Sequence, residues 1–435
     1  MSSETAKKSY SLDRCIQIAL STSTSARKAE NALKLQGADV LRNYGSFLPR
    51  LSTSASYSPY ALSRTYANSG TAVTNIKTTS TSGDLTLTTS LNLFNGFRDY
   101  ASLQAALNKE DAAKYTLSRA LQSIVFDVTQ AYYQVLLNQE LLAIARENLL
   151  VAQNQLILTN RQFQIGLKSM IDRDQQQADA AESTLSVIKA ETRMQNSLLE
   201  LMRRIRIDPL TTFNLEPLSE NLMNPLLEKP NPEKLVEIAF QQRSDLKGKE
   251  HEVRASKWQV TQSRAAFYPN LDITFNIGTG GTQYLHQSAG EIPYPPLSDQ
   301  FANSIGYSVA LNLNWTIFDG FQTRYNVESA KISRINLQYD YDDLKNNILI
   351  DIREAAGEYN AALTQIETAK ISLKAANSAF NGIKKKYELG AASFIELSSA
   401  RTTLFNARSS LSQANYNLAL QKSVLDFSTG NVTLP

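Results

Sequence analysis

One stretch of the sequence occurs twice, and its spacing restricts the possible folds more than any other feature. Leu93-Phe94-Asn95-Gly96-Phe97 is matched by Ile317-Phe318-Asp319-Gly320-Phe321, with Phe94 and Phe318 224 residues apart. The same offset pairs Asp127 with Asp351, Phe163 with Tyr387, Gly166 with Gly390, Ser169 with Ser393 and Ile171 with Ile395. A gapless offset over about 80 residues reads as a tandem duplication, which takes precedence over any local assignment. The expected domains are a first repeat over 1–207, an inter-repeat segment over 208–232 and a second repeat over 233–435.

Each repeat opens with helical periodicity, over 10–46 and about 232–266, and turns extended at a proline: Phe47-Leu48-Pro49 and Phe267-Tyr268-Pro269. Proline disfavours helix in the residue before it. The pattern then changes to period two. Leu51, Thr53, Ala55 and Tyr57 alternate with serines, and Leu85, Leu87, Leu91 and Leu93 with Thr, Ser and Asn. Leu271, Ile273, Phe275 and Ile277 do the same in the second repeat, as do Tyr307, Val309, Leu311, Leu313 and Trp315. This predicts four strands of about ten residues, lying within 50–95 and 270–318, each with one oily and one polar face. A soluble sandwich shows the same alternation. Three features favour a membrane barrel: a hydroxyl-rich polar face, Tyr and Trp near strand ends, and long polar segments at 59–82 and 279–304 that read as outward loops. Four strands are too few to close a membrane barrel, so the chain needs copies of itself, and a trimer would supply twelve. Leu87, Leu91, Phe275, Leu311 and Trp315 are the expected lipid-facing residues.

Proline-free helical runs follow each glycine, over 98–165 and 322–388. At ~1.5 Å per residue each would be about 100 Å long if continuous. Apolar residues at spacings of three and four, among them Leu121, Val125, Val128, Tyr132 and Val135, argue for coiled-coil packing. Gly166 and Gly390 end the runs, and return helices are expected over 172–205 and 393–427. The predicted fold is thus an α+β membrane protein: four transmembrane strands per protomer joined to long coiled-coil helical hairpins over 98–205 and 322–427.

Composition narrows the function. Across 435 residues there are 44 basic and 41 acidic side chains, a balance that gives no basic face for nucleic acid. One cysteine, Cys15, and two histidines, His251 and His286, offer neither an internal disulfide nor a Cys/His metal cluster. Cys15 reads as an ordinary half-buried helix residue. No Ser/His/Asp arrangement is credible, and Gly278-Thr279-Gly280-Gly281 reads as a flexible loop rather than a phosphate cradle because no helix follows. An enzyme and a cofactor are therefore not expected. No apolar run is long enough for a transmembrane helix. The first residues lack a signal-peptide core, so the chain is either cytosolic or a mature form whose signal has been removed, and the barrel-type strands favour the second.

The corner prolines, the paired Phe-Asn/Asp-Gly motifs and the turns Ile165-Gly166-Leu167 and Leu389-Gly390-Ala391 are each weak signals. Together, duplicated and in order over the whole chain, they resemble the TolC-type family of outer-membrane efflux and secretion channels. The resemblance implies a homotrimer in the lipid of a Gram-negative outer membrane, with a twelve-strand barrel continued by a helical tunnel into the periplasm. It also implies a periplasmic adaptor and, through it, an inner-membrane transporter of RND, ABC or MFS type. The implied function is the passive exit duct of a tripartite efflux pump or type I secretion system.

The family closes its periplasmic end like an iris, with acidic side chains just past the tip glycines. Asp172 and Glu396 match those positions, and three crowded copies of Glu396 would repel one another and raise their pKa values. An acid at a helix N-terminus, complementing the dipole, is the other reading of both. Tyr387 matches a tyrosine of the family's latch. Ala392 and Ser399 depart from it, which leaves Lys168 as a replacement partner for Glu396 or Asp172. Gly166, Leu167, Ser169, Gly390, Ala391 and Ser393 are the expected adaptor-docking turns, although left-handed glycines and serine caps account for the same residues. A non-conducting coiled-coil scaffold of the cell envelope is the competing function, and would stay soluble without detergent.

Overall fold

The computed structural model describes residues 8–68, 73–210, 213–217, 230–287 and 294–432. They divide into two compact units, one formed by Lys34–Ala112 with Glu250–Tyr339 and the other by the remaining segments.

The first of these units holds an antiparallel sheet of β2 (Arg50–Asn68), β3 (Val73–Phe94), β5 (Asn270–Gln287) and β6 (Gly306–Asn314), in that spatial order. Among the described residues, β2 and β6 are the edge strands, each with one strand partner. Cross-strand register puts Leu91, Ile273 and Leu311 in line, and likewise Leu87, Ile277 and Tyr307. They share one face, because side chains alternate along a strand. The opposite face is polar and knit by side chains. Thr88 Oγ1 lies 2.8 Å from Asn276 Oδ1, Asn312 Nδ2 donates to Asp272 (3.0 Å), and Ser56 Oγ donates to Asp84 (3.1 Å).

The strands run further than the sequence suggests. The polar segment 59–82 belongs largely to β2 and β3 instead of a loop, with residues 69–72 outside the described chain. Its Thr, Ser and Tyr residues suit an extended backbone as well as they suit a loop. Similarly, 279–287 continues β5, and 297–303 form a short helix, α7 (Leu297–Asn303), whereas 288–293 are not described.

The glycine-rich run 278–281 is therefore not a flexible loop. It lies inside β5, where both faces are crowded. A Cβ on Gly280 would sit 2.5 Å from Asp84 Oδ1, and one on Gly281 would sit 2.6 Å from Gln300 Oε1. β6 stops opposite Gly278, and beyond it the Gln300 amide takes the place of a strand. It accepts from the Thr282 N–H (3.0 Å) and donates to the Thr282 carbonyl (3.1 Å). Covering an exposed edge in this way blocks unwanted strand pairing.

Each strand pair feeds its long helix through the repeated motif. Gly96 and Phe97 adopt φ of 66° and 65°, Gly320 and Phe321 of 66° and 68°. Phe94 meets Phe97 edge-on at 5.5 Å, and Phe318 meets Phe321 at 5.4 Å. Asn95 and Asp319 then accept hydrogen bonds from Asp99 N (3.3 Å) and Thr323 N (2.7 Å), capping the helices that begin there.

Those helices, α3 (Arg98–Gln164) and α8 (Gln322–Glu388), are 67 residues each, and their return helices, α4 (Met170–Ile205) and α9 (Phe394–Thr429), 36 each. The expected leading helices are each broken in two: α1 (Leu12–Thr22) and α2 (Thr24–Gly45) at Ser23, α5 (Pro232–Gln242) and α6 (Ser244–Arg264) at Arg243. Both break residues are extended. Side-chain hydrogen bonds stand in for the helix there. The second break is tied by the buried Arg243 guanidinium, which donates to Asp245 (2.7 Å), Asp351 (3.4 Å) and the Ser428 carbonyl (3.3 Å).

The core of the helical unit packs Cys15, Val128, Val135, Leu201 and Ile205 beneath a parallel pair of β1 (Lys8–Tyr10) and β4 (Phe213–Leu215). Tyr132, buried there, donates its hydroxyl to the Glu216 carbonyl (2.6 Å). Of the expected inter-repeat segment 208–232, residues 211–212 and 218–229 lie outside the described chain.

Candidate functional site

The two hairpin tips are built alike. Gly166 takes φ 77°, which lets its N–H reach the Phe163 carbonyl (3.0 Å) and the Leu167 N–H reach Gln162 O (2.7 Å). Gly390 takes φ 73°, with the corresponding bonds to Tyr387 O (3.1 Å) and from Ala391 N to Lys386 O (2.8 Å). This is the left-handed glycine closure of a helix C-terminus. Three residues on, Ser169 and Ser393 start the return helices with reciprocal capping boxes. The Ser169 side chain accepts from Asp172 N (3.1 Å) while Asp172 Oδ2 accepts from Ser169 N (3.1 Å). Ser393 and Glu396 repeat the exchange at 3.2 and 2.7 Å.

These hydrogen bonds favour the charged carboxylates. The Ser169 hydroxyl and N–H, with Lys168 nearby, lower the Asp172 pKa, and the Ser393 N–H and hydroxyl, with Lys386, lower that of Glu396. Within the protomer the shift of Glu396 is thus opposite to the rise expected from crowding. The serine N–H and O–H donors dominate because they contact the carboxylates directly. Around the caps, Ile165, Leu167, Met170, Ile171, Leu389 and Ile395 are exposed, so each tip presents an apolar surface.

Lys168 and Tyr387 come together, the ammonium 4.7 Å from the centre of the ring. Lys168 lies near Asp172 electrostatically, while Glu396 takes its cationic neighbour from Lys386. Leu87, Leu91, Phe275 and Leu311 share the apolar face of the sheet. Trp315 follows the last residue of β6 and donates its indole N–H to Phe267 O (3.2 Å).

One pair escaped the sequence reading. Arg401 on α9, 5% exposed, binds both carboxylate oxygens of Asp179 on α4. Its signal in the sequence is a lone arginine in the apolar series Leu397, Ala400, Leu404 and Phe405.

Among the described residues, then, a sheet with one apolar face and no strand partner beyond β2 or β6 continues into two long capped hairpins. The chain belongs to the outer membrane efflux protein family, whose model matches residues 15–205 and 235–431. It is 23% identical to "Outer membrane protein TolC" of Escherichia coli K12 over 381 residues, 86% of this chain and 73% of that protein. It is 24% identical to "Alkaline protease secretion protein AprF" of Pseudomonas aeruginosa over 366 residues, 80% and 73% of the two chains. Among solved structures, the Campylobacter jejuni CmeC outer membrane channel superposes with a TM-score of 0.82 at 18% identity, covering 96% of this chain and 85% of that one.

Proposed function

We propose that this chain is one subunit of a homotrimer whose three sheets close into a twelve-strand barrel, continued by a tunnel of the six helical hairpins. The observation that carries this reading is the sheet itself: it is apolar on one face, polar on the other and unpaired at both β2 and β6. An open sheet edge is not tolerated in lipid, where every backbone group needs a partner. Joining β6 of one copy to β2 of the next removes both edges, and turns the Ser, Thr and Asn face toward an aqueous lumen. The matched helix lengths of the two halves support a tandem duplication with borders near 207 and 233.

At the tips, the capped carboxylates Asp172 and Glu396 form the periplasmic aperture, and their charge favours cations. Tyr387 and Lys168 contribute to the closed state, and the tip opens by an iris-like movement. The turns at Gly166, Leu167, Ser169, Gly390, Ala391 and Ser393, with the exposed apolar residues around them, dock a periplasmic adaptor that links an inner-membrane transporter. The family match supports efflux, and the AprF-type relative protein secretion, as uses of such a duct. Insertion of the purified protein into a planar bilayer is the direct test. Discrete, cation-selective conductance steps are expected; a protein that leaves the bilayer insulating would refute the reading.

A further inference from the structure

Toward the tips the interior between the helices turns polar. Thr159, Gln162, Gln176 and Tyr387 each bury an oxygen that has no hydrogen-bond partner. Such groups oppose the packed arrangement they sit in. Against this weakly held interior, Arg401 Nη2 reaches both carboxylate oxygens of Asp179 while its own buried Nε has no partner, and Asp179 also accepts from Gln176 Nε2 (3.2 Å) and Ser398 Oγ (3.3 Å). Both partners lie within about three turns of the serine caps. They come from different hairpins, α4 from the first and α9 from the second. Other polar links between the hairpins, Arg408 to Glu147 (2.7 Å) and Ser412 to Glu140 (2.6 Å), lie further from the tips, and the former is largely exposed.

We infer that the Arg401–Asp179 pair is the clamp that holds the two hairpin tips of a protomer together, and that α9 can swing away from α4 only when it breaks. The inference deepens the proposed gating of the tip and rests on that reading. A buried ion pair suits a reversible clamp. Its charge-assisted hydrogen bonds are stronger than neutral ones and hold the packed arrangement. When the helices part, both groups regain water, so no uncompensated charge stays in the interior.

Single-channel recording in planar bilayers tests the assignment. Arg401→Met should raise the ratio of open to closed dwell time about tenfold. Arg401→Lys, which keeps the charge but replaces the planar guanidinium with a compact ammonium, should fall between it and the wild type. Arg408→Gln, which removes the exposed link, should gate like the wild type. The double variant Asp179→Leu/Arg401→Leu leaves no unpaired buried charge to impair assembly, and should open like Arg401→Met. Wild-type gating in the double variant would overturn the clamp while leaving the channel reading intact. Absence of conductance from the wild type and every variant would overturn both.

Discussion

At the scale of the residue, the two copies of one motif are not energetically equivalent. Gly96 and Gly320 share a left-handed backbone, yet a Cβ on Gly96 would come within 2.5 Å of the Ala265 carbonyl oxygen, whereas one on Gly320 meets nothing within 4 Å. Gly320→Ala should therefore cost about 1 kcal/mol, the backbone penalty alone. Gly96→Ala adds a clash with main chain that cannot turn aside, and should cost about 3 kcal/mol. Thermal unfolding of the two variants checks this, and equal shifts would contradict it. The glycines were legible in the sequence; the inequality was not. It depends on where a 3-10 turn at Ala265–Phe267 brings its carbonyl, which no local pattern encodes. Arg401 shows the same limit. A lone arginine among apolar residues signals a buried charge, but its partner Asp179 is on another helix, 222 positions away.

At the scale of the element, helix ends were the most readable feature, because caps use short-range chemistry at fixed spacing. Ser169 with Asp172 and Ser393 with Glu396 follow the capping pattern directly. The breaks at Ser23 and Arg243 carry no glycine or proline, so periodicity ran straight through them. The length of β2 and β3 was hidden for a different reason: hydroxyl-rich sequence serves both loops and polar strand faces. The capping boxes also define a pH response. Their carboxylates have lower pKa values folded than unfolded, so the stabilisation is complete above the ordinary carboxylate range, about 4. It is lost as pH falls through the depressed folded values. Amide exchange in the first turns of α4 and α9 should thus be faster near pH 3 than near pH 6, after correction for intrinsic rates. Ser169→Ala and Ser393→Ala should flatten that dependence for their own helix. Protection that does not change with pH in the wild type would contradict the assignment.

At the scale of the whole molecule, the governing fact is a sheet that the chain cannot finish. The alternation that made the strands legible also revealed their two faces, and with four strands per chain the proposed barrel closes only with further copies. The family match gives the class of the molecule, an outer membrane efflux protein. Closure by copies makes a sharp demand on mass, since three sheets of four strands use every edge once. Native mass spectrometry of the detergent-purified protein, with the detergent stripped in the gas phase, is the most direct test. A single assembly of three times the 48.3 kDa chain is expected. A stable species of 48.3 kDa in the absence of that assembly would contradict the account.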